Sequence, residues 1–248
     1  MAVDNPVIYN GWWVYLRFMG STHLSPSPKQ ITNAYRSRAL LKAQGYNDIA
    51  IAGILGCWQV ESGITPGCLD THLSQLPDNG QQLSLLDNET MLGYCDYTNP
   101  SERGYGTGLA QWDRGVSSAA PQGNVIASYA IREGKLWYDG NLQLDRFDWE
   151  YQHDPTGGNT PTTYQFWISS NWGGLRWSEY KTINTTPEQA ALMFNACFER
   201  SSGAANQNRQ DNARFWYDYF IANPLPVSML CCIIPKKRRV TRNVSKQV

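Results

Sequence analysis

Asn47-Asp-Ile-Ala-Ile-Ala-Gly-Ile-Leu-Gly-Cys-Trp-Gln-Val-Glu61-Ser-Gly63 reads as an apolar helix that ends in a carboxylate. Asn47 or Asp48 can cap its start, and Gly63 followed by Pro66 stops it. Glu61 lies seven, four and three positions after Ile54, Cys57 and Trp58, so it shares their face. Two effects there disfavour the charged carboxyl: an apolar, tryptophan-lined setting and the negative end of the helix dipole. A carboxyl that keeps its proton near neutral pH is what general acid catalysis needs. On position alone, a surface glutamate at a helix end is the simpler reading. The rest of the chain shifts that balance.

On the N-terminal side, a helix is predicted from about Lys29 to Gln44, with Ile31, Ala34, Tyr35 and Leu41 inward and Gly45 as its stop. Residues 1–28 read as an N-terminal extension. Within it, Val7-Ile-Tyr-Asn-Gly-Trp-Trp-Val14 places Asn-Gly between apolar runs, a hairpin signal. On the other side, residues 64–105 carry turn residues and little helical periodicity, which predicts a functional loop or small strands. Helical patterns return over Asn141–Gln152, where Leu144, Phe147 and Tyr151 share a face, and more briefly over 162–170. Thr186-Pro187-Glu188-Gln189 opens a capped helix to about Arg200. The last helix, about 208–222, turns Ala213, Trp216, Tyr217 and Phe220 inward. These elements predict a two-lobed α+β domain over 29–222, predominantly α, with one small β or irregular insertion.

The chain is rich in aromatics, with 10 Trp and 14 Tyr among 248 residues. Such side chains suit a core and equally a cleft that stacks sugar rings. Formal net charge is zero, but residues 223–248 hold Lys236, Lys237, Arg238, Arg239, Arg242 and Lys246 and no acid. Those six cations leave 15 basic against 21 acidic side chains in residues 1–222, a net of −6. An acidic body argues against nucleic-acid binding by the domain itself. The basic tail reads as a solvated segment able to contact anionic polymer or membrane. Cysteines 57, 68, 95, 197, 231 and 232 lack CxxC spacing, and the three histidines are scattered, so neither a metal site nor a cofactor is expected. Reduced, buried thiols are the expectation, with a Cys57–Cys68 disulfide as the alternative. The start of the chain carries Asp4 where a signal peptide has positive charge, and no stretch is long enough to span a bilayer.

A second informative stretch is Gly104-Tyr-Gly-Thr-Gly-Leu-Ala-Gln-Trp112. Its glycines allow close backbone approach, Gln111 offers an amide, and Trp112 a planar face. Together, Ala50-x-Ala-Gly-Ile-Leu-Gly-x-x-x-x-Glu61-Ser-Gly-x-x-Pro66 and Gly104-Tyr-Gly-x-Gly-Leu-x-Gln-Trp112 resemble the lysozyme-like domain of phage tail proteins. The same pairing occurs in goose-type lysozymes and lytic transglycosylases. Leu142-Gln-Leu144 with Glu150, and Phe198-Glu199-Arg200 ahead of Arg209 and Asn212-Ala213-x-x-Trp216-Tyr217, continue the likeness over about residues 30–222.

The resemblance implies a lysozyme-like fold and cleavage of the β-1,4 bond after N-acetylmuramic acid in peptidoglycan. It implies Glu61 as the acid, with Trp58, Tyr105, Gly108, Gln111 and Trp112 around the bound glycan. Glycosidases normally flank the bond with two carboxyls. Asp70, nine residues after Glu61, has the spacing of T4-type lysozymes, but Leu76 stands where that pattern has threonine. Asp113 is the other candidate, and a transglycosylase would need neither. Glu199-Arg200 reads as structural, in salt bridges with Arg209 or Arg214. Three rival readings remain: a lytic transglycosylase, a Cys/His wall hydrolase using Cys57, Cys68 or Cys95 with His72 or His153, and a non-catalytic tail or wall-binding module. The expected partners are peptidoglycan strands and other phage tail proteins. The expected location is the virion tail, or the host wall after release.

Overall fold

The computed structural model describes residues 7–15, 17–18, 25–70, 87–95, 106–112, 126–158 and 165–224. It is predominantly helical with very little sheet, the α+β, mostly α, lysozyme-like class expected. Helix α2, Asp48–Glu61, is its central element. Asn47 caps it by accepting from the Ala50 N–H at 2.8 Å. Every residue from Ala50 to Gln59 is buried, so α2 is a core helix on all sides.

Three helices surround it: α1 (Pro28–Ala43), α7 (Pro187–Phe194) and α8 (Asn206–Ala222). Two glycines set the closest approaches. A Cβ on Gly53 would lie 2.7 Å from the Ala190 backbone on α7, and one on Gly56 would lie 2.5 Å from the Arg209 carbonyl on α8. Only a missing side chain lets these helices meet so closely.

On the far side lies α5, Gly140–Gln152. It delivers Phe147 into a ring cluster of Tyr46, Trp58, Trp177, Phe194 and Phe198. The Asn-Gly hairpin forms as expected: β1 (Val7–Tyr9) pairs antiparallel with β2 (Trp12–Val14), and Asn10 and Gly11 both take positive φ. This hairpin packs onto the body. Trp12 and Val14 expose nothing, Asn10 donates to Asp139 at 2.7 Å, and Asn33 of α1 bonds both polar groups of the Trp13 backbone.

Five expectations change. The stretch 64–105 contains a helix, α3 (Asn88–Cys95), begun by Asp87 accepting from Thr90 N–H at 2.7 Å. A further helix, α4 (Ile126–Glu133), precedes α5, and a single-turn helix, α6 (Trp177–Tyr180), precedes α7. The helix expected to run to Arg200 ends at Phe194 and passes into a π turn, Asn195–Glu199. The candidate helix at 162–170 is a 3-10 turn, Ser169–Trp172, with residues 159–164 outside those described. Tyr217 is half-buried rather than core.

The small sheet expected near the site is present. Strand β3 (Arg17–Phe18) pairs parallel with β4 (Cys68–Leu69), and single bridges join Leu69 to Thr107 and Thr107 to Trp112. Among the described residues, no helix is long and apolar enough to cross a membrane.

Candidate active site

Glu61 is the last residue of α2, and it is 6 % exposed. The simple surface reading therefore fails, and packing on α2 is the reason. A buried carboxyl needs a partner. The partner is Arg209 of α8, whose Nη2 donates to Glu61 Oε1 at 2.5 Å. The same Nη2 donates to Ser201 Oγ, and Ser201 donates onward to Asn195 Oδ1 at 2.6 Å. Glu61 is thus held at the end of a chain of polar groups rooted in the π turn. Gly56, one and a half turns earlier on α2, is what lets the Arg209 segment of α8 come this close.

The glycine-rich stretch meets α2 through Cys68. Its carbonyl accepts from Gly108 N–H at 2.8 Å and from Gln111 Nε2 at 3.4 Å, while its thiol donates to the Glu61 carbonyl at 3.6 Å. Two motifs far apart in sequence thereby lie on either side of one residue. Gly108 and Gln111 both adopt positive φ, 81° and 45°. Gln111 also donates to Gly108 carbonyl at 2.9 Å, and its Oε1 is buried without a protein partner.

Helix α5 pins this loop at both ends. Gln143 accepts from Leu109 N–H at 2.8 Å and donates to the Pro66 and Trp137 carbonyls. Glu150 Oε1 accepts from Trp112 Nε1 at 3.1 Å and from Arg146 Nε at 2.9 Å. Burial pushes the Glu150 carboxyl upward, against the pull of Arg146 and that indole. Trp112 is therefore nearly enclosed, with its polar edge turned inward. Trp58 has no exposed surface at all, and its ring lies edge-on to Phe147. Expected beside the glycan, it is a core residue instead. Asp70 follows β4 and donates its backbone N–H to the Gly106 carbonyl at 2.9 Å, its side chain half-buried. Tyr105 and Asp113 lie outside the described residues.

The residue that sequence reasoning assigned to structure alone is Glu199. Neither expected salt bridge forms: Arg209 faces Glu61, and Arg214 makes a two-pronged pair with Glu188 at 2.6 and 2.8 Å. The residue is half-buried as a whole, but its Oε1 is fully buried and has no hydrogen-bond partner. Burial drives its carboxyl well above the usual range and the neighbouring Glu61 adds to this, against Arg209 and Arg200. It sits at the end of the π turn, immediately before Arg200, which takes φ 54°. Such turns and left-handed non-glycine residues concentrate at functional sites.

The sequence model of the phage tail lysozyme family matches residues 32–220, most of the chain and all of these elements but the N-terminal hairpin and β3. The chain belongs to the phage tail lysozyme family. Membership brings a lysozyme-type, peptidoglycan-degrading role, and it fits association with a virion tail. In this family member, Cys57 and Cys68 are buried thiols with no disulfide between them. Burial, with Glu199 adding to it, raises the Cys57 thiol well above its ordinary value, which is the reverse of what a nucleophile requires. Among the described residues, no group of three or more His, Cys, Asp or Glu is placed to hold a metal ion.

Proposed function

We propose that the protein is a muramidase of a phage tail, cleaving the β-1,4 bond between N-acetylmuramic acid and N-acetylglucosamine. In this reading Glu61 is the general acid that protonates the leaving oxygen. The observation that carries the proposal is the seam at Cys68, where the Glu61 end of α2 meets the Gly108–Gln111 turn. A glycan lying along that seam would have a carboxyl beneath it and an unpaired amide oxygen, Gln111 Oε1, beside it. That oxygen can accept from a sugar hydroxyl or an acetamido N–H. Asp70, at the end of β4, and Asp113 are proposed as candidates for the second carboxyl.

Glu61→Gln keeps the shape of the side chain and removes its proton chemistry. The expected outcome is loss of turbidity clearing on purified cell walls by at least about a hundredfold, with an unchanged circular dichroism spectrum. Clearing at the wild-type rate would sink the assignment. Mass spectrometry of the released fragments reads the bond directly. Reducing muramic ends mark hydrolysis, and anhydro ends mark a transglycosylase that uses the sugar's own 6-hydroxyl. Binding to walls with no fragment release would leave the non-catalytic module.

A further inference from the structure

The turn that follows Glu61 carries two successive left-handed positions, Gly63 at φ 60° and Ile64 at φ 57°. Glycine adopts that conformation freely, whereas a β-branched side chain avoids it. Ile64 is nevertheless held there, fully buried, beside the end of α2. A strained residue persists only where its surroundings over-determine it. Two side chains of α1 do so here: Gln30 donates to the Gly63 carbonyl at 3.0 Å, and Asn33 to the Ile64 carbonyl at 2.9 Å. From within the turn, Ser62 Oγ accepts from the Ile64 N–H at 3.2 Å.

Asn33 joins this turn to the N-terminal segment. Its side chain exposes nothing, and its amide is fully used. Besides the bond to Ile64, Nδ2 donates to the Trp13 carbonyl at 2.8 Å and Oδ1 accepts from the Trp13 N–H at 2.9 Å. Beyond Trp13, the N-terminal segment runs beside the turn and on to β4. The Tyr15 carbonyl accepts from Thr65 Oγ1 at 3.4 Å, and a Cβ on Gly67 would lie 2.7 Å from it. Strand β3 then pairs in parallel with Cys68–Leu69. Residues 13–15 and 17–18 all precede residue 32, where the family match begins. The stretch they flank has the seam at both ends: Glu61 before it, and Cys68, whose thiol donates back to the Glu61 carbonyl, after it.

We propose that Asn33 and the N-terminal segment form a strap that aims Glu61, so that this chain completes its catalytic seam with residues outside the matched family region. The inference rests on Glu61 being the acid, as proposed above. Asn33 is in these terms a positioning residue, acting through the Ile64 carbonyl on the turn that closes α2. Glu61 is the last residue of that helix, so the direction of its side chain follows the turn. With the turn and β4 tied to one strap, the carboxyl and the Gln111 turn keep their spacing across Cys68. Freed from Asn33, Ile64 is expected to relax toward negative φ and to carry the end of α2 with it. A carboxyl misplaced by about 1 Å loses on the order of a hundredfold in rate.

The test measures kcat and KM for fragment release from soluble peptidoglycan chains by the full chain, with every variant assayed well below its melting midpoint. Asn33→Ala removes all three bonds of the joint. Gly67→Ala leaves Asn33 in place and wedges the strap away at the Tyr15 carbonyl. Each is expected to lower kcat at least about tenfold while KM changes less than about threefold. An unchanged kcat in folded Asn33→Ala, or a loss carried by KM alone, overturns the proposal, since an amide that only stabilises the fold leaves the folded enzyme's kcat intact. An unchanged kcat in Gly67→Ala removes the strap from the mechanism. An active Glu61→Gln enzyme instead removes the acid on which the inference rests. Should both variants fail to fold, hydrogen exchange of the wild type decides. The amides of residues 13–15 and 62–65 are expected to open as one unit, at matching rates. Strap amides that open faster than those of the turn refute the coupling.

Discussion

A carboxyl that is only 6 % exposed survives in a folded chain when its charge or its proton has been provided for. Glu61 meets this with Arg209, while at Glu199 burial pushes the carboxyl well above its usual range. Glu199 binds its proton more tightly in the folded chain than in the unfolded one. Below the ordinary glutamate value of about 4.5, both states are protonated and its contribution to stability is fully present. As pH rises from there towards the elevated folded value, the unfolded chain gives up the proton first, so stability falls. Calorimetry is expected to show a Tm that declines from about pH 5 to about pH 8 in the wild type and less steeply in Glu199→Gln. Parallel curves would mean that Glu199 titrates normally. The sequence disclosed one of the two carboxyls and hid the other. Glu61 is readable because Cys57 and Trp58 lie four and three positions before it on a helix. Arg209 stands 148 residues away, and no spacing rule links positions so distant. Glu199-Arg200, adjacent opposite charges at a helix end, has the pattern of an exposed pair, and only the fold shows that Arg209 and Arg214 are engaged elsewhere.

Helix α2 ties stability to chemistry through its glycines. In an isolated helix, Gly56→Ala would be favourable by about 1 kcal/mol. Here the new methyl would meet the Arg209 carbonyl and the Ala213 side chain on α8, 2.5 and 2.8 Å away, and the helices must part. The expected outcome is a net loss of about 1–3 kcal/mol in urea denaturation. Activity should fall further than stability does, because α8 carries Arg209 away from Glu61. A stabilised Gly56→Ala protein would contradict the packing described. Helix boundaries were legible wherever caps and periodicity agree, as at Asn47, Thr186 and Pro187. The break at Asn195 was not, because Asn-Ala-Cys-Phe-Glu contains no glycine or proline and the π turn is set by its surroundings. Helix α3 escaped for the opposite reason. It has only eight residues with Gly93 among them, too little for a period to emerge.

Across the whole molecule, distant segments converge on one layer of contacts. The N-terminal hairpin reaches Asp139 and Asn141 at the start of α5, and α5 in turn grips the Gly106–Trp112 loop through Gln143 and Glu150. The hairpin itself was foreseeable from Asn10-Gly11, but its docking place was not, since that depends on Gly140 leaving room for the Trp12 ring. The two motifs that suggested the family were legible as patterns, and their meeting at Cys68 is a product of tertiary structure. That meeting has a practical consequence. Cys57 lies between α2 and α7, donating to the Ala191 carbonyl, whereas Cys68 lies in the seam itself, and neither exposes any surface. Native-state alkylation followed by peptide mass spectrometry thus reads two depths of the same protein. Cys68 is expected to react at least about tenfold faster than Cys57, since parting the seam requires only local opening while freeing Cys57 requires separating core helices. Equal rates would reveal a molecule that opens as one unit. Slowing of Cys68 alone by added glycan fragments would turn this thiol into a native gauge of whether the cleft is occupied.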